Sequence, residues 1–147
     1  MWTEAREAIT NSSKASSVYI GCDSLRFKKN GKWKARYTTV VVVHKDSRHG
    51  ASIFYNSQTL DDYGNLRARL ITEVGHAIEA FDGISDVLED RHIEIHLDLN
   101  GNPMHKSNVV VKEALGWVRG VTGFDAQIKP NSWAATHAAD HMVRTGS

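Results

Sequence analysis

The chain has 147 residues, 41% of them hydrophobic and 24% charged, with a formal net charge of +1 at pH 7. That size and balance describe one globular domain, 1–147 with its core at about 17–143. The near-neutral charge excludes a blanket electrostatic nucleic-acid binder. No apolar run reaches the roughly 18 residues of a membrane span, so no membrane partner is expected. The N-terminus lacks the charged start and apolar core of a signal peptide. The one cysteine, Cys22, cannot form an internal disulfide, which fits a reducing cytoplasm. It lies inside an apolar strand and reads as a small buried hydrophobe, not a nucleophile.

In chain order, a helical turn at 3–10 leads to a first strand at 17–23. Asn30-Gly31 is a hairpin signal before a second strand at 33–44, whose Tyr37 to Val43 is dense in β-formers. A turn around 47–50 precedes a third strand at 51–55. The period then changes. Leu66, Leu70, Val74, Ile78 and Phe81 recur at helical spacing over 62–81, with Asp61 and Asp62 favouring the N-terminus. A fourth strand runs over 92–99, and Ser107 caps a second long helix that stops at Gly120. A fifth strand follows at 124–129, then an Ala-rich helix at 133–143 capped by Ser132.

The order βββαβαβα predicts an α/β fold. An antiparallel meander (strand 2 antiparallel to its neighbours) is extended by parallel strands 4 and 5. Right-handed crossovers place strand 4 beside strand 1 and strand 5 outside it, for a mixed five-stranded sheet of order 3-2-1-4-5 flanked by helices. The apolar run of strand 1 leads into Asp23 and that of strand 4 into Asp98. Adjacent parallel strands put both acids on one edge of the sheet, where α/β proteins place ligand sites. Alternation puts Asp23 with Tyr19 and Gly21, and Asp98 with His92, Glu94 and His96, on the faces opposite the aliphatic stripes. Each acid alone could equally be a solvated strand-end aspartate. Jointly they favour a site.

The last helix offers Asp140 on a polar stripe with Trp133, His137, His141 and Arg144. An exposed Asp140–Arg144 pair explains it as well as a third ligand does. A fourth carboxylate should come from the first long helix, where Glu73 lies at the edge of the buried stripe and Glu79 lies farther along. Such an acid set suits Mg²⁺ or Mn²⁺, which prefer hard oxygen ligands. Two such ions activate a water and stabilise the leaving oxygen of a phosphodiester. With one cysteine among eight histidines, a tight zinc site is not expected. No Walker lysine motif, nucleophile elbow or dinucleotide fingerprint is present.

Residues 26–36 hold six cations and no acid, with Phe27 and Trp33 interleaved. Arg26, Lys28, Lys29, Lys32 and Lys34 are candidate phosphate contacts, with Phe27 or Trp33 stacking on a base. A solvated hairpin guarding an edge strand explains the same tract. Lys106, Ser107 and Asn108 could hold a phosphate at a helix N-terminus, although capping alone accounts for Ser107. His105 is a candidate proton shuttle.

The element order and its acids resemble the ribonuclease H-like superfamily. More narrowly, residues 18–24, 93–100 and 106–108, Lys129-Pro130, and Ala134-Ala135 leading to Ala139-Asp140 resemble the YkuK-like family of predicted ribonuclease H-related nucleases. The resemblance spans about 17–141 and implies a divalent-metal nuclease in which Asp23, Glu73, Asp98 and Asp140 match the acidic set. The expected activity is hydrolysis of phosphodiester bonds in RNA, an RNA–DNA hybrid or structured DNA. The alternatives are a nucleic-acid-binding module with little or no catalysis, and an adaptor domain anchored through Trp2, Trp33, Trp117 or Trp133.

Overall fold

The computed structural model describes residues 1–47, 50–100 and 108–129. Helix α1 (Thr3–Asn11) precedes strands β1 (Ser17–Lys29), β2 (Lys32–His44) and β3 (Ala51–Asp61). Helix α2 (Leu66–Leu88), β4 (His92–Asn100), α3 (Asn108–Thr122) and β5 (Ala126–Lys129) follow. They form one five-stranded sheet of order β3-β2-β1-β4-β5. β2 is antiparallel to β1 and β3, and β4 is parallel to β1 and β5. This is the mixed α/β sheet that the sequence predicts. The expected last helix at 133–143 lies outside the described residues.

A single core lies on one face of the sheet. Val18, Ile20 and Cys22 of β1 join Ile93, Ile95, Leu97 and Leu99 of β4 there, beneath apolar residues of all three helices. Period-2 alternation in the strands and a helical stripe in α2 meet in this layer. The intervening residues face the other way, where Val40 and Val42 form a smaller cluster with Tyr19 and Ile53. Trp2 is buried in the main core. It packs so closely on α2 that a Cβ at Gly83 would come within 2.8 Å of its ring. That burial removes Trp2 as an anchor for a partner.

Several predicted boundaries move. β1 runs to Lys29 rather than residue 23, because its ladder to β2 continues down to Lys29 opposite Lys32. Asn30 (φ 53°) and Gly31 (φ 78°) close the hairpin in the left-handed conformations of a two-residue turn. β3 likewise runs to Asp61, which pairs with Lys34 in the ladder. In both extensions many side chains are exposed, so the apolar alternation that marks a half-buried strand fades while the hydrogen bonding persists.

α2 begins at Leu66, not Asp62, and runs past Phe81 to Leu88. Asn65 is its cap, accepting the Ala68 N–H, because Asp61 is held in the ladder and Tyr63-Gly64 intervene. α3 passes through Gly120 and ends at Thr122. Gly123, at φ 80°, donates its N–H to the Arg119 carbonyl in the usual glycine stop. β5 starts at Ala126, two residues later than expected.

Candidate functional site

The site begins where two strands part. The parallel ladder of β1 and β4 runs from Ser17 opposite His92 to Cys22 opposite Leu97. The next residues are Asp23 and Asp98, side by side at the notch where β4 ends its pairing and β1 continues into the hairpin. Both are half-buried. Their neighbours Cys22, Leu97 and Leu99 belong to the main core, so alternation turns the two aspartates to the opposite face. Asp23 Oδ1 also accepts the Ser24 N–H at 2.9 Å. The β4–β5 ladder is irregular between His96 and Asn100. That irregularity brackets Asp98.

Glu73 approaches the notch from the helix side. It is 7% exposed among the apolar residues of α2, and its carboxylate accepts a hydrogen bond from the Ser24 hydroxyl. Burial, joined by the charges of Asp23 and Asp98, raises the Glu73 carboxyl to about 8, while Ser24 and Arg69 act in the opposite sense. Glu79, the other sequence candidate, is exposed and lies about 1.7 turns farther along the helix. Ser24 was not singled out in the sequence, although alternation puts it on the Cys22 face, toward α2.

Along β4, the same face as Asp98 carries a second polar group. Glu94 receives His92 and His96 on its two oxygens, with His92 Nε2 at 2.7 Å and His96 Nε2 at 3.0 Å. Burial alone would raise the Glu94 carboxyl, but the two histidines outweigh it and hold it below the ordinary range. His96 has no exposed surface, and burial holds its imidazole below its ordinary value despite Glu94. Tyr19 packs edge-on to both rings. The sequence gives the alternation of this trio but not its hydrogen bonding.

Cys22 is inert. Burial first, then the Glu73 charge, push its thiol far above the usual range, and Thr39 donates to its sulfur.

The basic hairpin divides in two. Arg26, Lys28 and Trp33 share the helix-side face by alternation and register. Arg26 stacks over the Trp33 ring at 4.3 Å, with Lys28 at 5.4 Å. Arg26 also pairs with Asp62, whose side chain is 4% exposed and lies 3.9 Å from Arg69. Lys29, Lys32, Lys34 and Arg36 share the other face with Phe27, the face of Asp23 and Asp98. Lys34 pairs with Asp61 there. Lys106, Ser107, Asp140, His105, His137 and His141 lie outside the described residues. Asn108 opens α3.

The donors at the notch are hard carboxylate oxygens, the chemistry Mg²⁺ and Mn²⁺ prefer. Among the described residues, no three acid, histidine or cysteine side chains converge closely enough to hold a metal ion. The described part thus supplies an aspartate pair and a nearby glutamate, not a complete coordination shell. No helix among them is long and apolar enough to cross a membrane.

A family model described as Ribonuclease H-like matches residues 1–144. No curated protein and no solved structure matches the chain. With nearly the whole chain matched and a β3-β2-β1-β4-β5 sheet, the chain belongs to the ribonuclease H-like family.

Proposed function

We propose that the chain is a divalent-metal-dependent nuclease that hydrolyses phosphodiester bonds in RNA, an RNA–DNA hybrid or structured DNA by a two-metal-ion mechanism. The observation that carries this proposal is the placement of Asp23 and Asp98 immediately after the last parallel pair, Cys22 and Leu97. Buried Glu73 lies close enough to feel both charges. The Asp23 and Asp98 charges, which help to raise the Glu73 carboxyl, are what a bound cation would offset.

Asp23, Asp98 and Glu73, with Asp140, would hold Mg²⁺ or Mn²⁺. The bound ions would activate water and stabilise the leaving oxygen. Within the family, the motifs at 18–24 and 93–100 support the finer likeness to the YkuK-like nucleases. The lone, buried Cys22 suits a reducing cytoplasm.

A nucleic-acid-binding module with weak or no catalysis is the second reading. One observation favours it: among the described residues, no three acid, histidine or cysteine side chains converge on one metal point. The test is a panel of labelled RNA, RNA–DNA hybrid and branched DNA, incubated with Mg²⁺, Mn²⁺ or EDTA. Cutting that needs the metal supports the nuclease. Retention of the oligonucleotides without cutting under any metal supports the binding module.

A further inference from the structure

The proposed nuclease leaves open how a substrate strand approaches the aspartates, and the two-sided hairpin bears on that. β4 leaves β1 after Cys22, whereas β2 and β3 accompany β1 farther, to Lys29 and Lys34. Beyond the notch the sheet therefore continues as a three-stranded arm. Asp23, Leu25, Phe27 and Lys29 share one face of β1, spanning roughly 20 Å at about 3.3 Å per residue. Opposite them on β2 lie Thr38, Arg36, Lys34 and Lys32. Phe27, Lys29, Lys32, Lys34, Arg36 and Thr59 line a groove of about 540 Å³ on this face.

The groove has the chemistry of a polynucleotide track. Lys34 pairs directly with Asp61, whose charge Lys32 also feels, while Lys29 and Arg36 have no ion pair among the described residues. Leu25, 48% exposed, lies between Asp23 and Phe27, and the Arg36 guanidinium sits 5.7 Å from the Phe27 ring. Cations flanking apolar and aromatic side chains match a strand whose phosphates and base faces are both open, which a duplex does not present.

The opposite face differs. There Arg26 is engaged with Asp62 and covers Trp33, which makes it a strut.

We infer that the groove holds a single polynucleotide strand, its phosphates on Lys29, Lys32 and Arg36 and its bases against Phe27 and Leu25, and that it leads this strand to Asp23 and Asp98. The inference rests on the nuclease reading for its direction, not for its chemistry.

Its test is binding without catalysis. Labelled 20-nucleotide RNA and DNA single strands, and the matching duplex, are titrated in EDTA over a range of salt. Native protein and the K29A, K32A, R36A and K28A variants are compared. Each phosphate contact contributes about 0.7 to the slope of log affinity against log salt for a single strand. Each groove variant should therefore lower the slope by about that amount, and Lys28→Ala should leave it unchanged. Equal losses for Lys28→Ala and Lys29→Ala, unchanged slopes in the groove variants, tighter duplex binding, or no binding at all would overturn the inference. Because EDTA is present throughout, groove-dependent binding by a protein that cuts nothing would leave this inference standing while the nuclease proposal failed. The RNA and DNA arms identify the sugar.

Discussion

Cys22 and Leu97 form the last pair of the parallel ladder between β1 and β4, and an aspartate follows each of them. The core buries Cys22 and Leu97 on the helix side, which fixes the phase of both strands. A one-residue slip in either would turn its aspartate into the core. The packing of the aliphatic stripes therefore enforces the pairing of the acids.

Glu73 gives the metal-free protein a measurable pH dependence. Its folded carboxyl titrates near 8, against an ordinary value of 4.5. Between those values the folded state binds the extra proton, so the stability contribution is complete at low pH and declines as pH rises toward 8. A full one-proton difference amounts to about 1.4 kcal/mol per pH unit. Urea unfolding in EDTA from pH 5 to 8 should show native protein losing stability relative to Glu73→Gln. Parallel profiles would contradict the burial assigned to this carboxyl.

Asp62 anchors the helix-side face of the hairpin through Arg26 and Arg69. Its side chain is nearly buried, so Asp62→Ala leaves Arg26 without its hydrogen-bond acceptor and removes the carboxylate 3.9 Å from Arg69. The expected loss is about 1–3 kcal/mol in denaturant unfolding, with the m-value unchanged. Exposed Glu79→Ala should stay within about 0.5 kcal/mol of native. Equal stability of Asp62→Ala and native protein would remove the strut.

Cys22 should resist modification. The thiol is 2% exposed and its ionisation is suppressed by burial, and the thiolate is the reactive form. Iodoacetamide should label the folded protein negligibly and the denatured protein at one site, read by intact mass. Rapid labelling of the folded state would contradict the packing of β1 on α2.

Much of this was legible in the sequence because the decisive signals are periodic. Alternation in 17–23 and 92–99, helical spacing after Leu66 and right-handed crossovers were enough to put Asp23 beside Asp98. Glu73 and Glu79 were harder to separate, since both border an apolar stripe. Only the contact of α2 with β1 shows that Glu73 meets Ser24 while Glu79 faces water. The hairpin read as one basic patch because its composition is uniform. Its alternation was present in the sequence, but the long ladder to Lys29 and the acids at Asp61 and Asp62 that separate the two faces required tertiary structure. The irregular register around Asp98 has no local sequence signal, because it arises from the pairing of β4 with β5.

Cleavage by native, Asp23→Asn and Asp98→Asn proteins tests the central claim most directly. Each is assayed on the RNA, hybrid and branched-DNA panel with Mg²⁺ or Mn²⁺, with folding verified by circular dichroism. The amides keep the shape and remove the charge, so each variant should lose at least about 100-fold in rate, the scale of losing one transition-state-stabilising group. Metal-dependent cutting at the native rate by both variants would contradict the assignment of the notch as the active site.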